Sequence, residues 1–230
     1  MKGISAIICA YNEEKTVKDV IKHVYYSSMV SQIVVVNDGS TDSTKEIIDT
    51  LKDELAITAI HLIHNKGKGY AMAKGVEEAF FDVVIFIDAD QRIISEYINH
   101  LLLPILKNDY DMVLGYSTVS ILNMELNPVK ILTGERALYR QDLIPILEEM
   151  KDSRFGVETL LYFYYKSLGK SLKFIHLKDL KHNDKYKKMP RLKATIGYFN
   201  EGLEIVYTAI RHHDLLLKTL KHIVRKTISK

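Results

Sequence analysis

Val83-Val84-Ile85-Phe86-Ile87-Asp88-Ala89-Asp90 decides the fold class of this chain. Five apolar residues, rich in β-branched side chains and too short for a helix, read as a strand buried on both faces of a parallel sheet. Two carboxylates then emerge where that strand ends. In open α/β sheets the ligand crevice lies outside the carboxyl ends of the strands. Acids in that place, with one small residue between them, suit a hard cation such as Mg²⁺ or Mn²⁺ shared with phosphate oxygens. A bare Asp-x-Asp elsewhere would be a pair of solvated loop acids.

The same alternation of signals runs back to the start of the chain. Ile4 to Cys9 reads as a strand and Glu13 to Tyr26 as a helix, with Val17, Val20, Ile21 and Val24 on one face. Gln32 to Val36 is a second strand, and Thr41-Asp42-Ser43-Thr44 caps a helix over Thr44 to Leu51. Ile57 to Ile63 is a third strand, followed by a helix from Tyr70 to Phe80. Repeated β-α-β units predict a mostly parallel, twisted α/β sheet with helices on both faces. Beyond Asp90 the pattern predicts a helix over Ser95 to Lys107, a strand at Met112 to Gly115 and an irregular connection from Ser117 to Pro128. Helices come next over Leu138 to Met150 and Val157 to Ser167, then a strand at Lys173 to Leu177. Residues 194–230 read as one or two amphipathic helices.

Composition narrows the class. Hydrophobic residues at 47% and charged residues at 27% of 230 are ordinary for a globular protein with a substantial core. A single cysteine, Cys9, excludes an intramolecular disulfide framework and fits a reducing cytosol. Polar Tyr11-Asn12-Glu13-Glu14 closes the first apolar run too early for a secretory leader. No stretch approaches the roughly 18 apolar residues of a membrane span. The net charge of +3 is uneven: residues 170–230 carry 15 Lys/Arg against 5 Asp/Glu, leaving 17 against 24 before them. A basic last quarter points to an anionic contact. It has no aromatic platform or reader motif, so nucleic acid is not expected.

Three further stretches sit where ligands bind. Tyr11-Asn12-Glu13-Glu14 follows the first strand. Asn37-Asp38-Gly39-Ser40 places an acid at the end of the second, where it can meet a base or ribose or form an Asx turn. Asn65-Lys66-Gly67-Lys68-Gly69 sets small residues and a lysine before a helix, an anion-friendly arrangement. Neither a Walker A spacing nor a Gly-x-Gly-x-x-Gly fingerprint is present, which argues against P-loop phosphotransferases and nicotinamide dehydrogenases.

Together, Ile7-Ile8-Cys9-Ala10-Tyr11-Asn12-Glu13-Glu14, Val36-Asn37-Asp38-Gly39-Ser40-Thr41-Asp42, Asn65-Lys66-Gly67-Lys68-Gly69 and Asp88-Ala89-Asp90 resemble the family 2 glycosyltransferases of the GT-A fold. The resemblance covers the first ninety residues in order. It implies transfer of a hexose from a nucleotide-diphosphate sugar, with Ala10, Tyr11, Glu13, Asp38, Lys68, Asp88 and Ala89 contacting the nucleotide and Asp90 the divalent cation. Looser likenesses lie further along the chain. Thr133-Gly134-Glu135-Arg136 resembles a loop bordering the acceptor side, which assigns Gly134, Glu135 and Arg136 to that side. Arg154-Phe155-Gly156-Val157-Glu158-Thr159 resembles a stretch whose acid, here Glu158, is either the catalytic base or a sugar-binding group. Lys181-His182-Asn183-Asp184-Lys185 resembles a segment in which a histidine, His182, completes the metal shell and a basic residue, here Lys185, meets the diphosphate. Asn183 departs from the His-Arg pattern of many relatives.

The reading therefore divides the chain into a catalytic domain over 1–190 and a basic helical extension over 191–230. Residues 1–115 form the nucleotide-sugar half and 116–190 the acceptor half. The acceptor is a small phosphorylated or carboxylated molecule, a polyprenyl phosphate or a growing glycan, and the stereochemistry stays open. A cytoplasmic protein is expected, with peripheral membrane contact through the basic helices or a homodimer as the two uses of that extension. Two other classes compete: a non-catalytic nucleotide-sugar-binding module, and a sugar-phosphate nucleotidyltransferase, which would need a glycine-rich basic loop after the first strand.

Overall fold

A computed structural model describes residues 3–90, 95–116, 131, 133–177 and 214. Strands β1 (Ile4–Ala10), β2 (Gln32–Asn37), β3 (Thr58–His61) and β4 (Val83–Asp88) alternate with helices α1 (Val17–Tyr25), α2 (Thr44–Glu54) and α3 (Lys68–Glu78). The chain continues with α4 (Ser95–Leu106), β5 (Met112–Tyr116), β6 (Arg136–Tyr139), α5 (Arg140–Leu143), α6 (Leu147–Asp152), α7 (Val157–Ser167) and β7 (Leu172–His176). One seven-stranded sheet runs in the order β3-β2-β1-β4-β6-β5-β7. Every pairing is parallel except those of β6, which is antiparallel to both β4 and β5.

Strand alternation builds two cores. Ile4, Ala6, Ile8 and Ala10 of β1 face α1, α2 and α4. Ile7 faces the opposite layer with Val34, Val36, Val84 and Phe86, against α3, α6 and α7. Because both faces are covered, the central parallel strands are mostly apolar, with Ser5, Gln32 and Asn37 as buried polar exceptions, and β2 is buried along its whole length. Gly75 of α3 lets that helix close on β1: a Cβ there would lie 2.3 Å from Ile7 Cγ2.

The α/β class, the four N-terminal strands and α7 match the sequence reading. The segment after residue 131 differs. A helix was expected from Leu138, but Arg136–Tyr139 is a strand wedged between β4 and β5. After that strand the chain forms a broken run of α5, a 3-10 turn at Ile144–Ile146 containing Pro145, and α6. A four-residue strand is too short to carry a period that separates it from a helix, and this one opens on the charged Arg136. Proline then prevents a continuous helix from forming. The expected start of the first helix at Glu13 is also early. Residues 13–16 form a turn, and the helix begins at Val17. Strands from both expected halves, β1 to β5 and β6 to β7, belong to one sheet. The expected connection at 117–128, the segment 181–185 and, apart from Asp214, the extension at 191–230 lie outside the described residues.

Candidate active site

Parallel register brings the motif-bearing strand ends to one edge of the sheet. Ala10 pairs with Asn37, and Cys9 pairs with Asp88. The loops leaving β1 and β2 are stitched to each other. Asn12, whose φ of 57° suits asparagine, donates its N–H to Ser40 Oγ at 3.0 Å, and its Oδ1 accepts Thr41 N–H at 2.8 Å. Glu13 N–H donates to Thr44 Oγ1 at 2.8 Å. Glu13 Oε2 accepts the Thr16 hydroxyl at 3.0 Å. Tyr11 stands out of this seam, 43% exposed, so its ring is available to a ligand. Ala10 is buried and contributes its carbonyl, which accepts Asp38 N–H at 2.9 Å.

Asp38 organises the next loop. Its Oδ1 accepts Lys66 N–H at 2.7 Å, and its Oδ2 accepts Gly67 N–H at 2.9 Å and Asn65 Nδ2 at 3.0 Å. Burial pushes the carboxyl above its ordinary range, while the two amides and the nearby Arg154 guanidinium oppose that shift. A carboxylate has about four lone-pair sites, so Asp38 fixes the Asn65–Gly67 loop and keeps one site for a ligand. Gly39, at φ 68°, turns so close to the loop that a Cβ would lie 2.4 Å from the His64 carbonyl carbon. The turn is braced from below. Asp49 Oδ1 bonds His61 Nε2 at 2.9 Å, His61 Nδ1 faces Asn37 Nδ2 at 3.2 Å, and Asn37 Oδ1 accepts Ser40 N–H at 3.1 Å. Since a carboxylate only accepts, the His61 proton sits on Nε2 and Nδ1 accepts from Asn37.

At the end of β4, Lys68 Nζ lies 2.7 Å from Asp88 Oδ1 and 2.8 Å from Glu158 Oε1. The three side chains are 20%, 22% and 7% exposed respectively. Burial works against the ammonium, but the two carboxylates outweigh it and hold the Lys68 pKa well above the ordinary lysine range. This bridge ties α3, β4 and α7 together around the crevice. Cys9 lies beneath it, its thiol pushed far up by burial and therefore inert at neutral pH.

Gly134, ahead of β6, makes room for Asp88: a Cβ at 134 would lie 2.2 Å from Asp88 Oδ2. Glu135 and Arg136 are fully buried. The Arg136 guanidinium donates to the carbonyls of Glu158 (3.3 Å), Ile131 (3.4 Å) and Thr133, so it bolts the first turn of α7 to the segment entering β6. Thr133 Oγ1 bonds the Gly115 carbonyl and lies 3.0 Å from Glu135 Oε2. A hydroxyl has one proton, and a carbonyl can only accept it, so the second contact is satisfied when Glu135 is protonated and donates. Burial, together with Asp88 and Asp90, against the pull of Lys68 and the Thr133 hydroxyl, pushes the Glu135 carboxyl up to about 8.

Among the described residues, Glu135 Oε1 is buried without a hydrogen-bond partner. No three His, Cys, Asp or Glu side chains among the described residues converge to hold a metal. Asp88 and Asp90 at this edge offer carboxylate oxygens only, while the protonated Glu135 offers no anionic ligand. The two aspartates fit a hard cation that takes its remaining ligands from elsewhere, such as a diphosphate. Ala89 is buried. The sequence-expected His182 and Lys185 lie outside the described residues.

A family model described as glycosyl transferase family 2 matches residues 5–147, more than half of the chain. The chain belongs to glycosyl transferase family 2. Poly-beta-1,6-N-acetyl-D-glucosamine synthase of Staphylococcus aureus (strain COL) is 33% identical over 91 residues, covering 39% of this chain and 22% of that protein. The corresponding synthase of Staphylococcus epidermidis is 35% identical over 91 residues. The matched stretch thus spans 22% of the length of these relatives. Among solved structures, glucosyl-3-phosphoglycerate synthase from Mycobacterium tuberculosis in complex with phosphoglyceric acid superposes with a TM-score of 0.71 at 20% identity, over 91% of this chain and 79% of that one. The same synthase in complex with Mn²⁺, UDP-glucose and phosphoglyceric acid gives 0.70 at 20% identity. At that identity the likeness is one of fold, and it is the GT-A arrangement that the motifs of this family 2 chain imply.

The structure brings Ala10, Tyr11, Glu13, Asp38, Lys68, Asp88, Ala89, Gly134, Glu135 and Glu158 to the same edge of the sheet. Arg136 lies behind that edge rather than on it. Sequence reasoning assigned no site role to Asn65 or Arg154. Asn65 stood inside a quoted motif, but its bond to Asp38 spans 27 residues and leaves no local signal.

Proposed function

We propose that this family 2 protein is a metal-dependent glycosyltransferase that moves a hexose from a UDP-sugar to an acceptor hydroxyl. The observation that carries the reading is the Lys68–Asp88–Glu158 bridge, set at the carboxyl ends of the strands beside the Asp38 loop, in a chain of this family. In this account Tyr11, Glu13, Ala10 and Asp38 hold the base and ribose. Lys68, Asp88 and Ala89 line the path to the diphosphate. Asp90 and His182 hold a Mg²⁺ or Mn²⁺ ion, and Lys185 meets the diphosphate. A cation held there would supply neutralisation of the charge that builds on the diphosphate as the glycosidic bond breaks. The solved complexes of the mycobacterial synthase with Mg²⁺ and UDP, and with Mn²⁺ and UDP-glucose, support the choice of cofactor and base.

Glu158 is the acid that faces the sugar. Lys68 takes its Oε1 and fixes its orientation from one side, and Arg136 fixes its backbone from behind. That leaves Oε2 to accept from a sugar or acceptor hydroxyl, the geometry required of a base or a sugar-binding group. Gly134 and Glu135 border the acceptor side, and the acceptor is a small phosphorylated or carboxylated molecule, a lipid-linked phosphate or a growing glycan.

The test is release of UDP from a panel of UDP-hexoses in the presence of Mn²⁺. Wild type is expected to release UDP from at least one donor, and Asp90→Ala to slow this by about 100-fold or more, as loss of a group that stabilises transition-state charge does. Absence of release by wild type from every donor, with and without phosphorylated acceptors, would overturn the reading.

A further inference from the structure

Among the described residues three non-glycine positions have left-handed backbone: Asn12 and Asn108 at φ 57°, and Arg154 at φ 48°. Asparagine visits that region readily because its short amide bonds locally, and arginine has no such compensation. Backbone strain of this kind persists where the surroundings impose it, and such positions cluster at ligand-binding sites. Arg154 lies in the 3-10 turn Arg154–Gly156, directly before the helix that carries Glu158. Its stem runs along Gly67: a Cβ at 67 would meet Arg154 Cβ at 3.1 Å, and Cα and Cγ at 3.2 Å. Gly67 is the residue whose amide binds Asp38 at 2.9 Å. The Arg154 side chain is exposed, and its charge acts on Asp38. It therefore stands over the β2 end of the crevice. Asp88 ends β4 and Asp90 lies in the turn after it, and β4 is two strands away from β2 across β1, or roughly 10 Å at the spacing of neighbouring strands.

We propose that Arg154 is a further donor-contacting residue, one that closes the nucleobase end of the cleft rather than its diphosphate end. This rests on the site's being a UDP-sugar site. A pyrimidine offers carbonyl oxygens and a flat π face, both of which a planar guanidinium takes. The left-handed turn aims the side chain across Gly67 toward that place.

The test is a calorimetric titration of wild type and Arg154→Gly with UDP plus Mn²⁺, and separately with inorganic pyrophosphate plus Mn²⁺. Glycine adopts φ 48° without strain, so Arg154→Gly is expected to melt at or above the wild-type temperature. UDP affinity should fall roughly tenfold, the loss of one charge-assisted contact, while pyrophosphate affinity stays unchanged. Equal UDP affinity in both proteins, or an equal loss for UDP and pyrophosphate, would overturn the inference and leave the donor reading standing. A wild type that binds no UDP overturns the donor reading and this inference with it. Should Arg154→Gly melt lower, Arg154→Asn, the next most tolerant residue at positive φ, is judged by the same two affinities.

Discussion

Glu135 shows how burial sets the chemistry of a single residue at this site. Its carboxyl is pushed up to about 8 from an ordinary 4.5, with burial the largest cause. The unfolded chain therefore ionises at lower pH than the folded one, and between those values the folded state binds more protons. Stability from this group is complete below about 4.5 and is lost as pH rises through about 8. Urea unfolding in EDTA at about pH 5, 7 and 9 checks the sign. Glu135→Gln, which cannot ionise, should gain stability relative to wild type as pH rises across that window, whereas a constant gap would show that Glu135 is ionised throughout. The sequence made Glu135 a candidate through its neighbours in Gly134-Glu135-Arg136, but its protonation comes from burial and from Asp88, neither of which is legible in the motif. Asp38 is similar. An acid at a strand end was legible, yet the three bonds by which it holds Asn65–Gly67 span 27 to 29 residues.

At the scale of elements, β6 is the piece on which the site turns. Its antiparallel register, with Phe86 opposite Arg136, carries Gly134 alongside Asp88. Gly134→Ala would place a methyl group 2.2 Å from Asp88 Oδ2 and so displace a carboxylate held by Lys68. Because the Asp88 side chain can rotate away, the cost to stability should be modest, about 1 kcal/mol. UDP release should fall by about 100-fold, since misplacement by an ångström near the reacting centre has effects of that order. A variant with wild-type turnover would show that the Asp88 position is not critical. The parallel strands β1, β2 and β4 were legible because each is a largely apolar run ending in a polar motif. β6 was not, because Arg136-Ala137-Leu138-Tyr139 puts a charged residue in the middle of the core. That charge is tolerated only because three backbone carbonyls, from Ile131, Thr133 and Glu158, receive its guanidinium.

On the scale of the whole molecule, the sheet is a scaffold that delivers side chains from β1, β2, β4, β6 and α7 to one crevice. Its order β3-β2-β1-β4-β6-β5-β7 sets the Asp38 loop and the Asp88–Asp90 corner on either side of β1. That separation suits a ligand with a base at one end and a metal-bound diphosphate at the other. The alternation of strands and helices made this layout predictable, and the four N-terminal motifs fell in place along it. The uneven charge of the chain was equally plain in the sequence, but the basic extension that carries it lies outside the described residues, apart from Asp214. Among the described residues no helix is long and apolar enough to cross a membrane.

The central claim is that this crevice holds a nucleoside diphosphate together with a divalent cation, and its most direct test is the melting temperature of the full chain with UDP, with Mn²⁺, and with both. A ligand that binds only the folded state raises that temperature with concentration. The account predicts a clear rise with UDP and Mn²⁺ together, a smaller one with either alone, and no synergy in Asp90→Ala. No rise with UDP or any other nucleoside diphosphate in the presence of Mn²⁺ would contradict it.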